Sequence, residues 1–322
     1  MRIRITALAV ALPLAAALLA SGCSSSSSNA SGTAGGAKTA SAATITAIGA
    51  ENEYANVISQ IGGTYVNAQA IMSNPNTDPH TFEASPSVAR EVSSAQLVVQ
   101  NGVGYDTFMS TIEAASPSNG DPGSGRKVIN VQNLLGLPDS TPNPHLWYKP
   151  TTMPKVADAI AADLAAIQPA HAAYFKANAA SFIVSLDAWN SAIAAFKKAY
   201  PDVPVATTEP VADYMLQAVG ADNKTPWALQ AGIMNGVDPS PQDVAAQDAL
   251  FNDHEVKVFV YNQQVTDTLT ESFIKLAQKN GIPVIGVYET MPTPGYDYQS
   301  WMLAEVNALK KAVVDKTSTQ KL

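Results

Sequence analysis

From Thr44 onward, short runs of β-branched and small apolar residues alternate with longer stretches whose apolar positions recur three and four apart. That alternation is the pattern of strands followed by helices. TITAIGA (44–50) predicts a strand, and NEYANVISQIGG (52–63) a helix closing on paired glycines, which supply the backbone freedom that helix ends use. TYVNAQAIM (64–72) predicts a second strand, and SPSVAREVSSA (85–95) a helix with Ser85 as N-cap and Pro86 in its first position, where a missing N–H costs nothing. AQLVVQNG (95–102) reads as a short buried strand and PSNGDPGSGR (117–126) as a surface loop, by its density of turn residues. The second half repeats the scheme. PVATTEP (204–210), VKVFVYN (256–262) and IPVIGVYE (282–289) predict strands, while VADYMLQAVG (211–220) and LTESFIKLAQKNG (269–281) predict helices. Strands separated by helices imply an α/β fold of parallel sheets covered on both faces.

The clearest periodicity lies between Pro169 and Pro201. Phe182, Leu186, Trp189, Ile193, Phe196 and Tyr200 are spaced 4, 3, 4, 3 and 4, which puts them along one helix face. Roughly 30 helical residues reach about 45 Å, longer than one lobe is wide. About 280 ordered residues also exceed what one core usually holds. The expected organisation is therefore an N-terminal lobe (44–169), a connecting helix (170–200) acting as a strut against large hinge motion, and a C-terminal lobe (201–322).

The first residues stand apart from the fold. Arg2 and Arg4 precede an apolar run, Ile5 to Leu19, too short to span a bilayer comfortably, so residues 1–22 read as a secretory signal. The run ends in LASGC, which resembles a bacterial lipobox, and Cys23 is the only cysteine of the chain. Cys23 is thus the expected lipidation site, and residues 23–43, rich in Ser, Gly, Thr and Ala, the expected tether. No disulfide can form. With a formal net charge of −8 and no basic cluster, nucleic-acid binding is not expected.

Histidine is scarce, four in 322 residues, and two of the four follow proline: His80 in DPH (78–80) and His145 in NPH (143–145). Proline fixes its own φ and biases the preceding residue to an extended form, so each triplet is a stiff loop that aims an imidazole. Ligands of open parallel sheets sit beyond the carboxyl ends of strands, where Glu209 and Glu289 fall. His171 and His254 read as structural or surface residues, Trp147 and Tyr148 as a wall that excludes water, and Asp78 as an outer-shell partner of a ligand.

DPHTFEASP (78–86), LVVQNGVGYDTFM (97–109), NPHLWYKP (143–150) and YFKANAASFIVSLDAW (174–189), with IGG at 61–63, resemble in order and spacing the extracytoplasmic solute-binding proteins of metal-ion ABC transporters. The resemblance runs from Thr44 to about Val314. It implies one divalent transition-metal ion, Zn or Mn and possibly Fe, held between the lobes as transported ligand. It implies as ligands His80 and His145 from the first lobe, Glu209 from the second, and Glu289 where the family usually has aspartate, with Asp297 as the alternative fourth ligand. It also implies an ABC permease and its ATPase as partners, a monomer, no catalytic step, and attachment by a lipid anchor to the outer face of the bacterial cytoplasmic membrane.

Two imidazoles and two carboxylates suit a borderline divalent ion, the carboxylates cancelling its charge. Carboxylates favour harder Mn²⁺ or Fe²⁺ relative to a three-histidine site, whereas intrinsic affinity order favours Zn²⁺ over Mn²⁺. A secreted zinc hydrolase is the competing class, but the chain contains no HExxH motif, and four protein ligands would leave little room for an activated water. A surface adhesin with a structural metal is a third reading, without a sequence mark of its own.

Overall fold

The computed structural model describes residues 44–76, 79, 82–115 and 125–322. Cys23, the signal and tether segments, Asp78 and His80 lie outside the described residues.

The first half builds strand β1 (Ile45–Glu51), helix α1 (Asn52–Gly62), β2 (Val66–Met72), α2 (Pro86–Ser94), β3 (Leu97–Gln100), α3 (Thr107–Ala115), β4 (Lys127–Asn130), α4 (Val131–Leu135) and α5 (Thr152–Ile167). Its sheet is parallel in the order β2-β1-β3-β4. The second half builds β5 (Pro204–Thr207), β6 (Asp222–Asn223), β7 (Val258–Asn262) and β8 (Val284–Val287) into a parallel sheet of order β6-β5-β7-β8. The two sheets thus share one topology, and the expected pair of α/β lobes is what the chain forms. Central strands are covered on both faces: all of β3 and β7 is buried, while the edge strand β2 sets exposed Asn67 and Gln69 between buried or partly buried positions. Continuous apolar sequence in the centre and alternation at the edge follow from that difference. Ser85 caps α2 by accepting from Val88 N, with Pro86 in the first turn, as its sequence predicts.

Between the sheets runs the long helical segment Pro169–Ala199. It opens with a 3₁₀ turn at Pro169–His171 and divides into α6 (Ala172–Ser185) and α7 (Asp187–Ala199). Leu186 N donates to Ile183 O at 3.2 Å, three residues back, and the Ser185 hydroxyl donates to Phe182 O at 2.6 Å. Local tightening of the ladder therefore separates two segments without ending the run. By length and composition this run is apolar enough to cross a membrane, yet Phe182, Leu186, Trp189, Ile193 and Phe196 are all buried within the protein core. α6 packs on α1 and α5, whereas α7 packs on the last helix, α12 (Tyr298–Asp315), which also lies against α1, β7 and β8. One apolar core consequently joins the lobes: Ile45 and Leu97 of the first sheet belong to the same cluster as Val205 and Val258 of the second. Each large apolar side chain in it contributes about 1.5–3 kcal/mol, so separating the lobes would expose a continuous interior.

His171 stacks on Tyr65 with ring centroids 3.7 Å apart, and His254 is exposed in a turn with φ 55°. His171 thus has a structural contact and His254 a surface position.

Candidate metal site

The carboxyl ends of the two sheets face each other, and the residues that follow β1, β3, β5, β7 and β8 interlock there. His145 is fully buried. Its backbone N–H donates to Asn143 Oδ1 at 3.0 Å, and its Nδ1 lies 2.8 Å from the same oxygen. Asn143 Nδ2 in turn donates to Pro210 O at 2.8 Å. Because the amide nitrogen is committed to a carbonyl, the oxygen must face the imidazole, so Nδ1 carries a proton and Nε2 is the nitrogen turned towards Glu289. Pro144 and the 3₁₀ turn Leu146–Tyr148 make the loop rigid. Trp147 and Tyr105 meet the imidazole edge-on at 5.4 and 5.9 Å.

Glu289 stands two residues beyond β8 and is also fully buried. Its Oε2 lies 3.3 Å from His145 Nε2 and accepts from the Tyr105 hydroxyl at 2.8 Å. Oε1 accepts from Asn262 Nδ2 at 2.6 Å, and the same amide reaches Glu209 Oε1 at 3.3 Å. Glu209 follows β5, and Asn262 is the last residue of β7. The backbone around Glu289 is fixed by side chains: Gln264 Oε1 accepts from the N–H groups of Glu289 and Thr290, and Asn52 of the first lobe pairs with both N and O of Met291 at 2.8 Å each. A loop whose amides are saturated in this way holds its carboxylate in one place.

The alternative ligand Asp297 is used elsewhere. Its carboxylate accepts from Ser300 N at 2.9 Å and forms a capping box with Ser300 at the start of α12. Of the ligands implied by the resemblance, His145, Glu209 and Glu289 are thus brought into one buried network, and His80 lies outside the described residues. Among the described residues no three His, Cys, Asp or Glu side chains converge closely enough to hold a metal by themselves, and the Asn262 amide sits between the two carboxylates. Trp147 packs on the imidazole as a wall would, whereas Tyr148 turns away from it, its hydroxyl lying 2.8 Å from Tyr288 O.

Sequence reasoning missed Asn143, Tyr105 and Asn262, together with two acids, Glu51 and Glu53. Both are fully buried, and neither carboxyl has a hydrogen-bond partner among the described residues. Burial pushes both well above the usual carboxylate range, Asp106 adding to the rise at Glu51 and Glu289 to that at Glu53. Burial first, then the charge of Glu289, raises the Tyr105 phenol and keeps it a donor. Glu51 and Asn262 both end parallel strands, the same signal that singled out Glu209 and Glu289.

Chemically, the separation of His145 Nε2 and Glu289 Oε2 is informative. Two donor atoms on one tetrahedral ion with bonds of about 2.0–2.1 Å stand about 3.3 Å apart, and the observed distance is 3.3 Å. An imidazole nitrogen and a carboxylate oxygen at that spacing, each backed by fixed outer partners, have the separation of two corners of a coordination polyhedron.

A family model described as ZnuA, zinc-uptake complex component A, periplasmic, matches residues 50–312. The manganese-binding lipoprotein MntA of Bacillus subtilis (strain 168) is 24% identical over 143 residues, which span 43% of this chain and 46% of that protein. The periplasmic zinc binding protein TroA from Treponema pallidum has a similar fold, with TM-score 0.70 and 16% identity over 84% of this chain and 99% of that one. The solute-binding protein FpvC from Pseudomonas aeruginosa, solved in complex with Mn²⁺, gives TM-score 0.67 and 21% identity over 85% and 99%. A Cd-bound periplasmic metal binding protein from Candidatus Liberibacter asiaticus gives 0.66 and 17% over 84% and 100%. Each of these likenesses speaks to fold.

Proposed function

Because the chain belongs to the family of periplasmic zinc-uptake complex component A, we propose that it is the extracytoplasmic receptor of a divalent metal-ion ABC transporter. It captures one Zn²⁺ or Mn²⁺, possibly Fe²⁺, between its lobes and delivers it to a membrane permease driven by a separate ATPase, with no catalytic step of its own. Cys23 carries the lipid that keeps it, as a monomer, at the outer face of the cytoplasmic membrane. The observation that carries this reading is the buried His145–Glu289 pair at 3.3 Å, one partner from each lobe, each oriented by its own fixed amide.

His80, His145, Glu209 and Glu289 are the proposed ligands. Entry of the ion replaces the His145–Glu289 contact by two metal bonds, and the two carboxylates cancel the dication's charge. The shared core and the strut between the lobes make capture a matter of local loop rearrangement more than of wide hinge closure.

Elemental analysis of the purified protein, with competitive titration of Zn²⁺ and Mn²⁺ on the wild type, His80→Ala and Glu289→Ala, tests the proposal. One tightly held ion per chain, weakened in both variants, is expected. A wild type that binds neither metal would refute it.

A further inference from the structure

Asn262 is fully buried at the end of β7, between the two carboxylates of the site. Its Oδ1 accepts from Gln264 N at 2.9 Å. A backbone N–H can only donate, so the other end of the Asn262 amide is fixed as the nitrogen. That nitrogen carries two protons and faces two acceptors, Glu289 Oε1 at 2.6 Å and Glu209 Oε1 at 3.3 Å. The residue has little room to retreat. Its backbone N–H donates to the hydroxyl of Thr208 at 3.0 Å, next to Glu209 in the chain, and its register partner on β8 is Val287, close before Glu289.

One amide thus acts on both acids. It sets them side by side in spite of their like charge, each on one N–H. It also commits one oxygen of each. An ion entering beside His145 Nε2 then meets Glu289 through Oε2, the oxygen 3.3 Å from that nitrogen, and Glu209 through Oε2. A two-oxygen grip on either acid would require Oε1 to turn away from the amide and strand a buried N–H, which is costly. Two imidazoles and two carboxylates that give one oxygen each make a tetrahedral set, the arrangement of Zn²⁺, whereas Mn²⁺ suits octahedral sites rich in oxygen.

We propose that Asn262 is a specificity-determining residue: by holding Glu209 and Glu289 to one metal-binding oxygen each, it limits the ion to four protein donors and favours Zn²⁺ over Mn²⁺. The inference rests on the ligand roles proposed above and narrows the cargo of that same site. Asn262 does not touch the ion, since its protons are spent on the two acids and its oxygen on Gln264 N. Its contribution to stability and to pairing the two charges falls on both ions alike. Its limit on donor number separates them.

Zn²⁺ and Mn²⁺ affinities of the full chain, each measured by chelator competition, and X-ray absorption at the manganese edge of the Mn²⁺-loaded protein test this on the wild type, Asn262→Ala and Asn262→Leu. Zn²⁺ affinity should fall about 10–100-fold in the variants, the usual cost of losing an outer partner. Mn²⁺ affinity should fall less, because the released oxygens supply donors that Mn²⁺ accepts, so the Zn²⁺/Mn²⁺ affinity ratio should drop by about tenfold. The Mn²⁺ shell should hold about four nitrogen and oxygen donors in the wild type and about five or six in the variants. Leucine is close to asparagine in shape and serves if the alanine variant fails to fold; the wild-type shell decides if neither folds. An affinity ratio unchanged in either folded variant, or a wild-type Mn²⁺ shell with the donor number of an octahedral site, would overturn this inference alone. A wild type that binds neither ion would overturn the receptor reading and this inference with it.

Discussion

Asn143 offers the sharpest test of how the site is held. Replacing it by alanine removes the acceptor that orients the His145 imidazole at 2.8 Å and its backbone N–H at 3.0 Å, and the donor to Pro210 O at 2.8 Å. Three hydrogen bonds at about 0.5–1.5 kcal/mol each set the scale of the stability loss at roughly 2–4 kcal/mol. For metal, loss of an outer partner that fixes tautomer and ring direction costs 10–100-fold in affinity, equivalent to about 1.4–2.7 kcal/mol. Asn143→Asp separates the two roles: the carboxylate keeps the acceptor for His145 but faces Pro210 O with an oxygen. Asn143→Asp should therefore retain most of the affinity while losing stability. Competitive chelator titration gives the affinity, and urea unfolding of the same samples gives the stability. An Asn143→Ala variant that folds and binds Zn²⁺ and Mn²⁺ within threefold of the wild type would refute the claim that this amide orients a ligand.

Asp297→Ala should cost about 0.5–2 kcal/mol, the value of an N-cap, in thermal unfolding, yet leave metal affinity unchanged; a large affinity loss would restore Asp297 as a ligand. Trp189→Ala in the strut should cost about 3–5 kcal/mol in urea unfolding, since its ring is fully buried, and a cost below 1 kcal/mol would contradict the core role of α7. Metal-free protein should lose stability as pH rises from about 4 to 8. Burial raises Asp106 and Asp213 to about 6 and Glu305 to about 8. The folded state then binds more protons than the unfolded chain in that window, so stability present below the ordinary carboxyl range is lost as pH climbs through the folded values. A melting temperature that rises across the window would contradict this.

Much of this architecture is written in residue pattern. β1, β3, β7 and β8 are short β-branched runs buried on both faces, and the six-residue apolar stripe of the strut needs no partner to be read. The divide at Leu186 escapes such a reading because the stripe continues through it in phase; only the Ser185 hydroxyl and a three-residue hydrogen bond mark it. β4, KVIN, and β6, DN, are too short and too polar to stand out, since pairing with a neighbour is what makes them strands. At the site, the Pro-His loop of His145 and the strand-end glutamates were visible because proline and position constrain them. Asn143, Asn262 and Tyr105 were not, because their roles depend on contacts between segments far apart in sequence: Tyr105 meets Glu289 across 184 positions. Glu51 and Glu53 looked like ordinary polar residues at a strand-helix junction, and only burial distinguishes them.

The central claim, that the two lobes jointly ligate one ion through His145 and Glu289, is tested most directly by X-ray absorption at the zinc edge of the Zn²⁺-loaded protein, compared with His145→Ala. The expected result is a shell of nitrogen and oxygen at about 2.0–2.1 Å, imidazole scattering that falls by half in the variant, and no sulfur. Imidazole scattering unchanged in His145→Ala, or a sulfur shell, would contradict it.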